Sequence, residues 1–285
     1  MLALDDYLKK RVKMAMHAKG DPQIARQALN CLDLTTLKGD ETKDDIQSLC
    51  TIAKANHVAS VCIYPSGVPF AKAAIKESNV NIATVINFPT GSKRTQSNDD
   101  TTVETTAHDV ACAIAAGATQ IDIVLPYAEF QKGNTQYCAD LLETCRQGCD
   151  KGVTMKVILE TASFEDAKAL RHACQLAIEC GTDCLKTSTG MHEKGGATLE
   201  SAALLLDEAR HADREIGVKI SGGVKTVDDC ARYISLATML KGQSTIRPET
   251  FRIGASSVLN ELLETCKYEN FKQASSSPSS RNLDY

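Results

Sequence analysis

"DCLKTSTG", residues 183–190, sets a lysine inside a short apolar run that reads as a strand. Cys184 and Leu185 precede Lys186, and Thr187, Ser188, Thr189 and Gly190 turn the chain directly after it. An ammonium removed from water costs free energy unless it is paired or gives up its proton. A strand here therefore implies either an outward-facing lysine or a polar site inside the fold, and the surrounding pattern must decide between them.

Similar runs recur on both sides. They are "LNCLDL" (29–34), "SVCIY" (60–64), "IATVINF" (82–88), "QIDIVLP" (120–126), "MKVILE" (155–160), "VKIS" (218–221) and "FRIGA" (251–255). With 183–188 they make eight, spaced by roughly 30 residues, the length of a βα unit. Between them, "TKDDIQSLCTIAKAN", "DDTTVETTAHDVACAIAAG" and "TLESAALLLDEARH" carry apolar residues at helical spacing, with acidic residues toward their starts. Gly117, Gly152 and Gly181 follow helical segments.

Eight such units with nearly continuous apolar strands predict an α/β fold, a closed (β/α)8 TIM barrel. The competing open doubly wound sheet usually carries a GxGxxG turn after its first strand, and none stands there. The expected organisation is one barrel domain over residues 1–272, including an N-terminal amphipathic helix, and a flexible Ser/Pro-rich tail over 273–285 that ends on Tyr285.

The chain has 285 residues, 43% of them hydrophobic and 24% charged, which is ordinary globular composition. A net charge of -4 supplies no global field to recruit nucleic acid. The N-terminus reads neither as a signal peptide nor as a membrane span, so the expected location is cytoplasmic, with no membrane partner. The 12 cysteines are scattered, with no CxxC pair and no histidines at finger-like spacing, so no metal is expected.

In a (β/α)8 enzyme the chemistry collects at the C-terminal ends of the strands. Asp33, Asp122, Lys156, Lys186 and Lys219 are polar residues within apolar runs, and the three lysines fall on consecutive strands five, six and seven. Clustered, partly dry ammonium groups repel one another, so at least one is expected to lose its proton near neutral pH. A neutral amine attacks an aldehyde to give an imine, an electron sink that needs no metal or cofactor. Beside them, "SGGVK" (221–225) follows strand seven and "GASS" (254–257) follows strand eight and opens a helix. Glycine-rich turns at a helix N-terminus suit a phosphate, and this is its usual place in such a barrel.

"LDLTTL" (32–37), "VCIYP" (61–65), "TVINFP" (84–89), "IDIVLPY" (121–127), "KVILET" (156–161), "LKTSTG" (185–190), "VKISGGVK" (218–225) and "IGASS" (253–257) resemble, in order, the strand motifs of the deoxyribose-phosphate aldolase family. The resemblance implies a metal-free class I aldolase that reversibly cleaves 2-deoxy-D-ribose 5-phosphate to D-glyceraldehyde 3-phosphate and acetaldehyde. It implies that Lys186 forms the Schiff base, with Lys219 perturbing it and sharing proton transfer and Asp122 joining that relay. Asp33 and Lys156 match pocket-lining positions, and Gly190, Gly222, Gly223, Ser256 and Ser257 match phosphate contacts. Family members are often homodimers, and some end in a tyrosine that assists proton transfer, a role Tyr285 would take here.

Two positions depart from the pattern. Met191 stands where some relatives place a basic residue, and Lys225 stands where arginine is common, which keeps the charge and loses the bidentate fork. Cys62, on strand two, is a candidate for reaction with aldehydes, against the simpler reading of a packed thiol. His192 follows the 185–190 motif and is a candidate substrate contact. The alternatives are another lysine-dependent sugar-phosphate aldolase or transaldolase, and a non-catalytic barrel that senses a phosphorylated metabolite.

Overall fold

Side chains alternate across a strand, so in a closed barrel every second residue faces the axis and the others face the helices. The computed structural model describes residues 2–92, 102–149 and 152–276. The apolar runs become β1 (Leu32–Thr35), β2 (Ser60–Ile63), β3 (Asn81–Ile86), β4 (Gln120–Val124), β5 (Thr154–Ile158), β6 (Cys184–Lys186), β7 (Gly217–Ser221) and β8 (Phe251–Ala255). Neighbouring strands are parallel, and β8 pairs with β1, so the sheet closes in chain order.

The helices are α1 (Asp6–Ala15), α2 (Pro22–Asn30), α3 (Lys43–Ala55), α4 (Val68–Ala74), α5 (Val103–Ala116), α6 (Tyr127–Gln131), α7 (Thr135–Gly148), α8 (Ala167–Glu179), α9 (Leu199–His211), α10 (Val227–Lys241) and α11 (Leu259–Ser276). Their starts are written in the sequence. Thr42, Thr102, Thr198 and Thr226 cap α3, α5, α9 and α10, each accepting from the backbone N–H three residues on, in reciprocal capping boxes. Each such cap stabilises its helix by about 1 kcal/mol. Gly117 ends α5 with φ of 119°, a left-handed conformation that costs glycine nothing.

The first strand begins later than its apolar run suggests. Asp21 accepts from Ile24 N–H and Pro22 opens α2, so Leu29 and Asn30 are the last turn of a helix and β1 starts at Leu32. At the other end α11 continues to Ser276, past the boundary at 272 expected from composition. Residues 277–285, Tyr285 among them, lie outside the described residues. No described helix is long and apolar enough to cross a membrane.

The outward-facing strand residues Leu32, Val61, Ile121, Val157, Leu185, Val218 and Ile253 are buried under the helices in one continuous core. Each contributes about 1.5–3 kcal/mol by leaving water. The inward face divides differently. Leu37, Cys62, Ala83 and Val85, with Tyr64 and Phe88 against them, form a separate apolar arc on the β1–β3 side. The remaining arc, from β4 round to β1, carries the buried charges.

Candidate active site

Parallel register sets the charged side chains in two rows, because Lys156 stands opposite Cys184, two residues before Lys186. Asp122 on β4 pairs with Lys156 on β5, Lys186 on β6 with Lys219 on β7, and Lys219 with Arg252 on β8. Asp122 stands at the centre. Its Oδ1 accepts from Lys156 Nζ at 2.8 Å, and its Oδ2 accepts from Lys186 Nζ at 2.9 Å and Lys219 Nζ at 2.8 Å. Lys219 Nζ also lies 2.5 Å from Asp33 Oδ2, and Arg252 Nη1 donates to Asp33 Oδ1. All six groups are buried, and Lys186 is 3% exposed where Asp33, Asp122 and Lys219 are 0%. The five polar strand residues expected from sequence thus meet in one cluster.

The electrostatics follow from competition between burial and partners. Burial alone would raise the Asp122 carboxyl, but Lys156, Lys186 and Lys219 outweigh it and hold it well below the usual carboxylate range. Asp33 behaves alike: burial opposes its charge, and Lys219 and Arg252 overcome that and lower it. Burial also works against the Lys219 ammonium, yet Asp122 and Asp33 prevail and raise its proton affinity above that of an ordinary lysine. At Lys156 the balance reverses, and burial, only partly offset by the two carboxylates, lowers the pKa. Neighbouring lysines are therefore driven in opposite directions. Fully charged, the cluster sets the four cations of Lys156, Lys186, Lys219 and Arg252 against two carboxylates. Such an excess makes the loss of one ammonium proton favourable.

The polar residues after Lys186 are each spent on a neighbouring strand end. Thr187 Oγ1 donates to Ser221 O and accepts from Ser221 N–H, while Ser188 Oγ lies 3.5 Å from Thr161 Oγ1. Thr189 donates through its N–H, at 3.0 Å, and through its hydroxyl to Glu160 Oε2. Glu160 is buried at the end of the β5 run with φ of 53°, and its Oε1 has no hydrogen-bond partner among the described residues. The turn is thereby tied to β5 and β7.

The expected phosphate positions sit on the loops after β6, β7 and β8. Gly190, Gly222 and Gly223 have φ of 84°, 81° and 90°, conformations that present backbone N–H groups and penalise a side chain. Around Gly222 the loops touch through their backbones: a Cβ there would stand 2.8 Å from Gly196 Cα. Ser256 and Ser257 are exposed just before α11, and Lys225 is exposed with its N–H donating to Asp229. Gly254 has a different task from the one its "GASS" setting suggested. A Cβ on it would meet Ser221 Oγ at 2.3 Å and Lys219 Cε at 2.9 Å, so its bareness makes room for Lys219.

Cys62 lies in the apolar arc, and burial raises its thiol above the ordinary value, which keeps it protonated. His192 packs edge-on against Tyr127, with ring centroids 6.1 Å apart, and accepts from Lys194 N–H. A cleft of about 470 Å³ lined by residues such as Gly39, Glu41, Tyr64 and Phe70 opens on the loops after β1 and β2, and none of the clustered lysines lines it. Two buried groups escaped the sequence reading. Arg252 interrupts the "FRIGA" run just as the lysines interrupt theirs, so the same criterion finds it. Glu160 looked like an ordinary strand end, and only its φ and its grip on Thr189 single it out.

Set against known proteins, the chain matches the family model described as DeoC/LacD family aldolase over residues 27–263. The chain belongs to that family. Membership makes it an aldolase, a carbon–carbon lyase. Within the family, a deoxyribose-phosphate aldolase from Agrobacterium fabrum (strain C58 / ATCC 33970) is 38% identical over 253 residues, covering 88% of this chain and 94% of that protein. The same barrel fold appears among solved structures. A candidate deoxyribose-phosphate aldolase from Coccidioides immitis superposes with a TM-score of 0.74 at 24% identity, covering 92% of this chain and 98% of its own. The tetrameric deoxyribose phosphate aldolase of Aeropyrum pernix gives 0.70 at 22% identity, with 91% and 97% covered. At those identities the likeness speaks for the fold.

Proposed function

We propose that the chain is a deoxyribose-phosphate aldolase, cleaving 2-deoxy-D-ribose 5-phosphate reversibly to D-glyceraldehyde 3-phosphate and acetaldehyde. The observation that carries this reading is the sharing of Asp122 by three buried lysines, with Lys186 and Lys219 on a single oxygen. A binding protein has no use for so costly an excess of buried positive charge, whereas an imine-forming enzyme needs an amine with a second lysine beside it to pass protons.

In the proposed reaction, neutral Lys186 adds through Nζ to C1 of the open-chain sugar. The Lys219 ammonium gives a proton to the carbinolamine hydroxyl, water leaves, and the iminium forms. Lys219, now an amine still held by Asp122, accepts the C3 hydroxyl proton as the C2–C3 bond breaks. The bond's electron pair moves to C2, the nitrogen takes up the iminium electrons, and glyceraldehyde 3-phosphate departs. Lys219 then returns the proton to C2 of the enamine, water hydrolyses the iminium to acetaldehyde and neutral Lys186, and the proton set free in that hydrolysis restores the Lys219 ammonium. The iminium is itself the electron sink, so no metal or cofactor takes part. Asp122 keeps Lys219 beside Lys186 throughout, and Lys156 and Asp33 hold the two carboxylate ends of the array. The 5-phosphate is assigned to the backbone of Gly190, Gly222 and Gly223, with Ser256, Ser257 and the Lys225 charge at the rim.

The test joins a retro-aldol assay on deoxyribose 5-phosphate to borohydride reduction in the presence of acetaldehyde. An N-ethyl group is expected on Lys186 by peptide mass spectrometry, and none in Lys186→Leu. Label on another lysine, or turnover without any label, overturns the assignment.

A further inference from the structure

Arg252 lies inside the barrel, 6% exposed, and the mechanism above makes no use of it. Its guanidinium is committed at three points: Nη1 donates to Asp33 Oδ1 and, at 3.3 Å, to Gln120 Oε1, and Nε donates to the carbonyl oxygen of Pro248. Asp33 turns its other oxygen to Lys219, Lys219 donates to Asp122, and Lys186 donates to the same Asp122 oxygen. Charge alternates along this path from Arg252 through Asp33, Lys219 and Asp122 to Lys186. The path begins at the one member that cannot titrate, because arginine keeps its proton at any working pH.

We propose that Arg252 is a positioning residue of the lysine centre: by holding Asp33 through Oδ1 it orients the carboxylate so that Oδ2 meets Lys219, and so fixes where Lys219 stands and how much of the Asp33 charge it feels. The proposal rests on the aldolase reading, in which Lys219 passes protons for Lys186. The groups facing Lys219 are Asp33 from β1, Cys62 from β2, Asp122 from β4, Lys156 from β5, Lys186 from β6 and Arg252 from β8. Cys62 stays neutral, so the balance lies among four cations and two carboxylates.

Removing the Arg252 charge alters that balance in one direction. Repulsion among the ammonium groups falls, and the whole Asp33 charge turns to Lys219. Both changes make the lysines hold their protons more tightly. The reactive amine then becomes available only at higher pH, and the acid limb of kcat moves up. A residue that merely supported the fold would lower the active fraction equally at every pH.

The experiment compares wild type, Arg252→Met and Arg252→Lys in the cleavage of deoxyribose 5-phosphate from acid to alkaline pH, with acetaldehyde–borohydride trapping alongside. In Arg252→Met the acid limb is expected to rise by about one pH unit, the effect of one charge at close range across a partly dry site. On the acid side of the limb its kcat then falls about tenfold while KM changes little, and activity recovers as pH rises. Arg252→Lys keeps the charge and the limb but loses several-fold in kcat, since one ammonium cannot reach three diverging acceptors. A folded Arg252→Met with an unmoved limb, its loss matching its folded fraction by circular dichroism, overturns the proposal. Should that variant not fold, Arg252→Lys decides, and wild-type kcat there overturns it. Wild type that neither turns over nor traps label on Lys186 overturns the aldolase reading and the proposal with it, whereas an active, labelled wild type leaves Arg252 alone on trial.

Discussion

Replacing Asp122 with asparagine tests whether one carboxylate holds the charged arc together. Asp122 meets three ammonium groups at 2.8–2.9 Å, and none of the four side chains is more than 3% exposed. Removing one partner of a buried ion pair costs about 3–5 kcal/mol, because it strands the other charge. Asparagine keeps the shape and one acceptor, which places the expected loss near the lower bound, about 3 kcal/mol. Unfolding entropy is about 2.1 cal/mol/K per residue, or roughly 0.6 kcal/mol/K for a chain of this size, so Tm should drop by about 5 °C at pH 7. The pH dependence has a definite sign. Asp122 has a depressed folded pKa, so its contribution is present above the unfolded carboxylate value and is lost as pH falls through the folded one. The gap between wild type and variant should therefore narrow in strong acid. It should narrow again toward the lysine range, where the stranded amines lose their protons. Thermal unfolding followed by circular dichroism across pH measures both. A variant that melts within a degree of wild type at pH 7 would refute the idea that Asp122 is the electrostatic keystone.

Two glycine variants probe the rest of the site. Gly254→Ala brings a Cβ to 2.9 Å from Lys219 Cε and 2.3 Å from Ser221 Oγ, so Lys219 must move. Such overpacking costs about 1–3 kcal/mol, and kcat should fall at least tenfold with KM less affected, as steady-state kinetics will show; an unchanged kcat would mean that Lys219 needs no such room. Gly222→Ala asks an L-residue to adopt φ of 81° and sets its Cβ 2.8 Å from Gly196 Cα. It should raise KM for the sugar phosphate about tenfold or more, as expected when a costly left-handed turn carries a binding contact. Trapping of acetaldehyde on Lys186 should continue undiminished in that variant, and parallel loss of both would argue against a separate phosphate subsite.

Much of this is legible in the sequence, for a physical reason. A buried strand tolerates a charge only where the fold supplies partners, so Asp33, Asp122, Lys156, Lys186 and Lys219 announced themselves by interrupting apolar runs. Arg252 announced itself in the same way inside "FRIGA", and applying the criterion to every run would have included it. Other features depend on geometry that composition does not encode. The start of β1 was misplaced because Leu29 is buried equally well by a helix or a strand, and the Asp21–Pro22 cap was the signal that decides. Nothing in "MKVILE" reveals that Glu160 leaves the strand in a left-handed conformation and reaches across to Thr189. Nor does "GASS" reveal that its glycine serves a lysine on the adjacent strand, since that follows from the register of β7 against β8.

The ion pair between Asp33 and Arg252 joins the first strand of the barrel to the last, residues separated by 219 positions. A chain emerging from the ribosome makes Lys156, Lys186 and Lys219 before it makes the arginine that completes their array. Joining the ends closes one of the longest loops of the fold, among the costliest in entropy and so among the latest to pay back. The seam of the barrel and the far end of its charge array are one and the same contact. The nascent polypeptide therefore carries ordinary, solvated lysines, and the buried charge array is complete only when the two ends of the ring have met.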